Sequence, residues 1–162
     1  MKVNGKSTQT IWLSEDKQNV QIIDQTKLPF EFKVVTLNCF EDAFKAIKNM
    51  LVRGAPLIGV TGAYGVFLAA KENKELKFIQ DACDYLNSAR PTAVNLSWAL
   101  NRMLQKAFDS KSNNIIENLC NEANKILEED INFCENIGKY GCEIIKDLYN
   151  KKKRPINIAR IL

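Results

Sequence analysis

The stretch PLIGVTGAYGVFLAAK, residues 56–71, decides the fold because it is apolar on nearly every side. A helix with this pattern has no polar face to present to water and therefore has to be buried. Gly59, Gly62 and Ala63 leave small surfaces on which other helices can approach its backbone closely. The stretch predicts a central buried helix, and Pro56 suits its first turn.

Three further helices are predicted after this central one. Residues 75–88 form an amphipathic pattern, and Thr92 is a candidate cap for a helix that runs to about residue 108. From Ile115 to Tyr149 apolar residues recur at helical spacing. This last pattern predicts one long helix, or two in line with a bend at Gly138 and Gly141.

Three short extended segments precede the central helix, at residues 10–13, 20–24 and 31–37. Their spacing predicts an antiparallel meander, which needs a helix packed on one face to be stable. Asn38 and Glu41 have the spacing of a capping box at the start of another helix. The predicted fold class is therefore α+β and mostly helical, with a small three-stranded antiparallel meander followed by a bundle of about five helices.

Composition excludes several classes of function. The chain has 162 residues and a formal net charge of +4, which is too mild to indicate a nucleic-acid partner. No apolar run reaches the length of a membrane span, and the polar first ten residues lack the apolar segment of a signal peptide. We expect a cytoplasmic protein with no nucleic-acid partner and no membrane contact.

The cysteines are interpreted as reduced core residues. They are odd in number and form no CxxC pair, and the chain has no histidine, which argues against a zinc site. Without histidine, any acid–base chemistry would depend on carboxylates, thiols or lysines. The five cysteines are Cys39, Cys83, Cys120, Cys134 and Cys142.

Two places repeat one arrangement that can bind anions. At residues 53–56 and 90–92 an arginine stands just before the start of a predicted helix. The first turn of a helix exposes unpaired N–H groups, and a guanidinium adds a fork of donors that matches phosphate oxygens. Gly54 and Ala55 would let a ligand approach the backbone. A structural role is the strong alternative on the residues alone, since an arginine near the end of a helix complements its dipole and Gly-Pro pairs commonly mark the end of one helix and the start of the next.

Five blocks of sequence carry a resemblance to a known family. In chain order they are IIDQTKLP (22–29), IKNMLVRGAPLIG (47–59), ARPTAVNLSWAL (89–100), ED (129–130) and IGKYG (137–141). Together they resemble the methylthioribose-1-phosphate isomerase family, which lies within the broader group that includes the alpha, beta and delta subunits of translation initiation factor eIF-2B. The RGAP and ARPTAVNL motifs favour the sugar-phosphate isomerases over the translation-factor subunits.

The resemblance implies isomerisation of 5-methylthioribose 1-phosphate to 5-methylthioribulose 1-phosphate, in methionine salvage. It assigns substrate binding to Arg53, Gly54, Ala55 and Arg90. A small-molecule sugar phosphate is the implied partner, with no metal and no organic cofactor. A homodimer is implied for full-length members of the family.

The resemblance also implies a domain division. Residues 1–154 would form the N-terminal substrate-binding domain, and residues 155–162 the stub of the linker and first strand of a Rossmann-like catalytic domain. The family's catalytic cysteine and aspartate lie in that domain, and none of the five cysteines here matches. The strand would begin at Ile156. We expect the chain alone to be inactive, whether it reflects a truncated or frameshifted reading frame or a deliberate shortening.

Two other interpretations keep the same fold. One changes the sugar, giving a 5-deoxyribose-1-phosphate or ribose-1,5-bisphosphate isomerase. The other is a regulatory, protein-binding module similar to the eIF-2B subunits. The arginines distinguish an isomerase from this second alternative, because a protein-binding module does not need Arg53 and Arg90 to converge on one cleft.

Overall fold

The computed structural model describes residues 2–3, 5–110 and 114–158. It divides into two units, one ending at Ile126 and one beginning at Leu127. The strands are β1 (Lys2–Val3), β2 (Lys6–Ser7), β3 (Ile11–Leu13), β4 (Val20–Ile23) and β5 (Val34–Leu37), and the helices are α1 (Phe40–Lys48), α2 (Ala55–Glu72), α3 (Leu76–Ser88), α4 (Val94–Asp109) and α5 (Ile115–Lys152).

The predicted meander is confirmed. Strands β3, β4 and β5 form an antiparallel sheet in chain order, in which Ile22 pairs with Ile11 on one side and with Val35 on the other. Ile11 and Ile22 are fully buried, so the sheet contributes to the core. A second antiparallel pair, β1 with β2, was not predicted, because strands of two residues are too short to leave a periodic pattern.

Helix α2 is the predicted central helix. Every residue from Ile58 to Ala70 is buried, including Gly59 and Ala63. The apolar residues on all sides of α2 are buried because α1, α3 and α4 each pack against this helix. With the sheet and five helices in the described part of the chain, the predicted fold class is confirmed.

Two glycines of α2 set its distance from α4. A Cβ added at Gly59 would lie 2.8 Å from the backbone oxygen of Asn95, and one at Gly62 would lie 2.5 Å from Leu96 Cδ1. Both distances are shorter than contacts with a carbon atom allow. The Asn95 backbone cannot move aside, so at Gly59 only glycine permits this approach, whereas at Gly62 the Leu96 side chain would have to shift. Because Gly59 and Asn95 belong to the early turns of their helices, the N-termini of α2 and α4 lie side by side.

Both predicted helix caps are wrong. Helix α1 takes Cys39 as its N-cap without a side-chain cap bond, and the Asn38 N–H instead donates to Asp42 Oδ2 at 3.1 Å. Helix α4 begins after Ala93, because the Ala93 N–H closes a tight turn on the Arg90 carbonyl at 2.9 Å. Thr92 lies inside that turn and cannot cap the helix.

Helix α5 is continuous through Gly138 and Gly141, which agrees with the single-helix form of the prediction. The residues of α5 that belong to the first unit, 115–126, bury apolar side chains such as Leu119. Residues 155–158 form no strand in the described part of the chain, and Ile158 is exposed. A strand there would need a partner strand that the described residues do not supply, so the domain division at residue 154 stays a prediction.

The core interpretation of the cysteines holds for Cys83 and fails for two others. Cys83 is buried in α3, and Cys39 and Cys120 are half-buried. Cys134 and Cys142 are exposed, because they lie on the part of α5 beyond Leu127. No helix in the described ranges combines the length and the hydropathy that crossing a membrane would need.

Candidate functional site

A surface cleft of about 450 Å³ lies where α2 and α4 begin. It belongs entirely to the first unit and contains all four residues that the sequence singled out. Its lining consists of Met50, Arg53, Gly54, Ala55, Ile58, Arg90, Thr92, Ala93, Val94 and Asn95. The two arginines therefore share one cleft, as an anion site requires, and their role in binding stays a prediction.

Arg53 is held by a single described hydrogen bond. Its Nη2 donates to the backbone oxygen of Gln25 at 2.9 Å, and its side chain is exposed. Within the described ranges no carboxylate lies within ion-pair distance of it. A neutral carbonyl orients the guanidinium and leaves its charge uncompensated.

Arg90 is half-buried, in the turn between α3 and α4. Among the residues whose structure is described, its guanidinium has neither a hydrogen-bond partner nor an ion pair. Arg102, further along α4, shows the contrast, because its Nε lies 2.7 Å from Glu122 Oε1. An ion-paired structural role therefore fits Arg102, whereas Arg53 and Arg90 have no ion-pair partner in the described part of the chain.

The helix ends add to the positive potential of the cleft. Neither the N-cap of α2, Gly54, nor that of α4, Ala93, makes a side-chain cap bond. Uncapped N–H groups and the partial positive charge of each helix N-terminus favour an anion at this position. The cleft lining contains two arginines and no acidic residue.

Gly54 is required by its own backbone conformation. Its φ of 98° lies in the region that residues with a Cβ rarely adopt. No heavy atom lies within 4 Å of the position that a Cβ would occupy. The residue therefore combines a turn that needs glycine with an open approach to the backbone.

One wall of the cleft is apolar, which the sequence did not reveal. Met50 and Val94 are 43% and 78% exposed, and the buried Ile58 also contributes to the lining. Asn95 was also missed as a lining residue. The available signal was positional, since Met50 precedes Arg53 by only three positions and Ile58 lies one helical turn after Gly54.

The family model described as "Initiation factor 2 subunit family" matches residues 51–150. The chain belongs to this family. The match begins just before Arg53 and covers every residue of the cleft lining except Met50. The resemblance drawn from the motifs is thereby confirmed.

Curated relatives give the same result. A protein of Escherichia coli O45:K1 strain S88, named methylthioribose-1-phosphate isomerase, is 45% identical over 155 residues, which is 94% of this chain and 41% of that protein. A protein of Brucella anthropi with the same name is 43% identical over 162 residues, which is 100% of this chain and 44% of that protein. The chain thus spans less than half the length of these relatives.

Two solved structures share the fold. The 5-methylthioribose 1-phosphate isomerase of Pyrococcus horikoshii matches with a TM-score of 0.79 and 36% identity, covering 86% of this chain and 41% of that one. The delta subunit of translation initiation factor eIF-2B from A. fulgidus matches with a TM-score of 0.72 and 36% identity, covering 77% of this chain and 38% of that one. The initiation factor 2 subunit family therefore includes both an isomerase and a translation-factor subunit that share this fold.

The cleft of this family member has positively charged side chains but offers no group for proton transfer. Its lining contains no Asp, Glu, Cys, Lys or Tyr. The buried or half-buried thiols are also poor nucleophiles, because burial raises the pKa of Cys39 to about 11 and that of Cys83 to about 12. Neither cysteine lines the cleft.

One cluster elsewhere has donor atoms that could hold a metal ion. Cys39, Glu41 and Glu72 bring a thiol and two carboxylates within 4.8 Å of one another at the start of α1. Burial raises the pKa of the Cys39 thiol, and burial together with the charge of Glu41 raises the pKa of Glu72. With a pKa of about 11 the Cys39 thiol is protonated at neutral pH and is a poor metal ligand, which favours a structural role for this cluster.

Proposed function

We propose that this chain is the N-terminal, substrate-binding part of an isomerase that converts 5-methylthioribose 1-phosphate to 5-methylthioribulose 1-phosphate. The observation that carries the proposal is the pair of arginines without ion-pair partners, Arg53 and Arg90, in one cleft at two helix N-termini. Relatives that bear the isomerase name at 43–45% identity support the choice of reaction.

The substrate's phosphate suits the charged side of the cleft. Guanidinium forks match phosphate oxygens, and helix N-termini stabilise phosphate charge. Each charged hydrogen bond contributes about 1.5–3 kcal/mol. In this proposal Arg53 and Arg90 bind the phosphate, while Gly54 and Ala55 let it approach the backbone.

The apolar wall favours one group of sugars over another. Met50, Ile58 and Val94 would pack against an apolar substituent of the sugar and would leave a second phosphate without donors. This argues for 5-methylthioribose 1-phosphate or 5-deoxyribose 1-phosphate over ribose 1,5-bisphosphate. A purely protein-binding module would not explain why the two arginines of the cleft have no ion-pair partner among the described residues.

The remaining parts of the proposal follow the family. Residues 1–154 form the substrate-binding domain, and residues 155–162 lead into a catalytic domain that supplies the cysteine and aspartate. The full-length protein is a cytoplasmic homodimer, works without a metal or organic cofactor, and contacts neither nucleic acid nor membrane.

Replacing Arg90 with alanine should raise KM for 5-methylthioribose 1-phosphate about tenfold or more, because one charged hydrogen bond to the phosphate is lost. The melting temperature should stay nearly unchanged, since the Arg90 guanidinium makes no hydrogen bond and no ion pair with any described residue. The protein for this measurement is a fusion of residues 1–154 to the C-terminal half of the E. coli relative, assayed by steady-state kinetics.

Arg102→Ala in the same fusion is the matched control. Arg102 is paired with Glu122, so its loss should lower the melting temperature and leave KM unchanged. The opposite pattern, in which Arg90→Ala lowers stability without affecting KM, would assign Arg90 a structural role and contradict the proposal.

A further inference from the structure

Asp24 stands out as a buried charged residue at the end of β4. It is 6% exposed and is one of two polar residues that are buried in the described part of the chain, the other being Thr61. The Thr61 hydroxyl only donates to a carbonyl of its own helix. A buried carboxylate is destabilising unless hydrogen bonds stabilise it, so the partners of Asp24 need an explanation.

Asp24 uses its carboxylate to fix a turn. Its Oδ1 accepts hydrogen bonds from the Thr26 N–H at 3.0 Å and from the Thr26 hydroxyl at 2.6 Å. The hydroxyl bond is the first cause that holds the pKa of Asp24 below its usual value, so the group is ionised at neutral pH. A carboxylate that bonds two residues onward in this way defines the direction of the peptide between them.

The residue between them, Gln25, contacts the cleft segment twice. Its N–H donates to the Leu51 carbonyl at 2.9 Å, and its own carbonyl accepts from Arg53 Nη2 at 2.9 Å. This carbonyl is the one described group that holds the Arg53 guanidinium. The direction of the Gln25 peptide therefore decides where the guanidinium lies.

We infer that Asp24 and Thr26 are positioning residues for Arg53, because they fix the Gln25 carbonyl that holds the guanidinium at the cleft. This inference rests on the proposed function, since it assigns the preorganisation of the same phosphate site. A long arginine side chain loses rotamer freedom when it binds, and holding it in place beforehand removes that cost from the affinity.

A purely structural role for Asp24 predicts a different outcome. The fold around the turn is also held by backbone bonds, from the Asp24 N–H to Lys33 and from the Gln25 N–H to Leu51, each 2.9 Å long. Side-chain variants retain these bonds and should therefore fold. If the carboxylate only stabilised the turn, its loss would lower the melting temperature without changing the Arg53 side chain or the affinity for anions.

The test uses the 162-residue chain and inorganic phosphate. NMR of the arginine Nε–Hε groups reports the order of the Arg53 side chain in the free protein and the phosphate affinity in a titration. Asp24→Ala should mobilise Arg53 and weaken phosphate binding about tenfold, and Thr26→Val should weaken it about threefold. Thr26→Ser keeps the hydroxyl and should bind like wild type.

Asp16→Ala is the matched control. Asp16 Oδ1 accepts from the Gln18 N–H and from the Ser14 hydroxyl, an equivalent contact in the connection at the opposite end of β4. Its loss should leave Arg53 and the affinity unchanged. If Asp24→Ala does not fold, the phosphate affinities of Thr26→Val and Thr26→Ser decide whether the turn positions Arg53.

Two outcomes would overturn the inference and can be told apart. If wild type binds phosphate and the Asp24 and Thr26 variants bind equally well with an equally ordered Arg53, the positioning role is wrong and the proposed function stands. If wild type binds no phosphate, the proposed function and the positioning role both fall.

Discussion

The 162-residue chain on its own should show no detectable turnover of 5-methylthioribose 1-phosphate. Isomerisation of an aldose to a ketose requires a group that transfers a proton, and the cleft lining has no carboxylate, thiol, amine or phenol. The chain has no histidine to replace them. The assay incubates the purified chain with substrate and measures ketose product by chromatography.

The fusion of residues 1–154 to the C-terminal half of the E. coli relative is the positive control and should regain turnover. It supplies sequence that this chain lacks, since the match covers only 41% of that relative. Turnover by the purified chain alone, above the rate without protein, would contradict the assignment of the chemistry to the C-terminal half.

Replacing Gly59 with alanine should lower the free energy of unfolding by about 1–3 kcal/mol, the usual cost of overpacking. The added Cβ would lie 2.8 Å from the backbone oxygen of Asn95, which cannot rotate away as a side chain could. The first turn of α4 would have to shift, and the cleft would change with it. Chemical denaturation of wild type and variant measures the difference.

Gly138→Ala is the matched control for Gly59→Ala. Gly138 also lies inside a helix, but no heavy atom lies within 4 Å of its Cβ position. Alanine is a better helix former by roughly 0.8–1 kcal/mol, so this variant should be slightly more stable than wild type. A Gly59→Ala protein as stable as Gly138→Ala would show that α2 and α4 do not depend on close glycine contact.

Periodicity was enough to predict the sheet and the helices, because α2 and the meander bury their apolar residues in regular patterns. The caps failed because they depend on single residues at helix ends. Asn38 and Thr92 are good capping types, yet the helices begin after Cys39 and Ala93. Capping preference is weaker than the local turns that fix where a helix starts.

The cleft could be predicted only in part. Arg53 and Arg90 were found because each stands beside a helix start that the sequence marks with proline. The role of Gln25 could not be found, since its carbonyl reaches Arg53 across 28 positions of sequence. The Asp24 carboxylate reaches the cleft only through that tertiary contact.

The most direct test of the site is a titration of the 162-residue chain with 5-methylthioribose 1-phosphate, followed by the Nε–Hε signals of Arg53 and Arg90 together. Both arginines line one cleft, so both signals should shift along a single binding curve, and alanine at either position should weaken that curve about tenfold. A shift of the Nε–Hε signal of only one arginine, or of neither, would contradict a shared phosphate site.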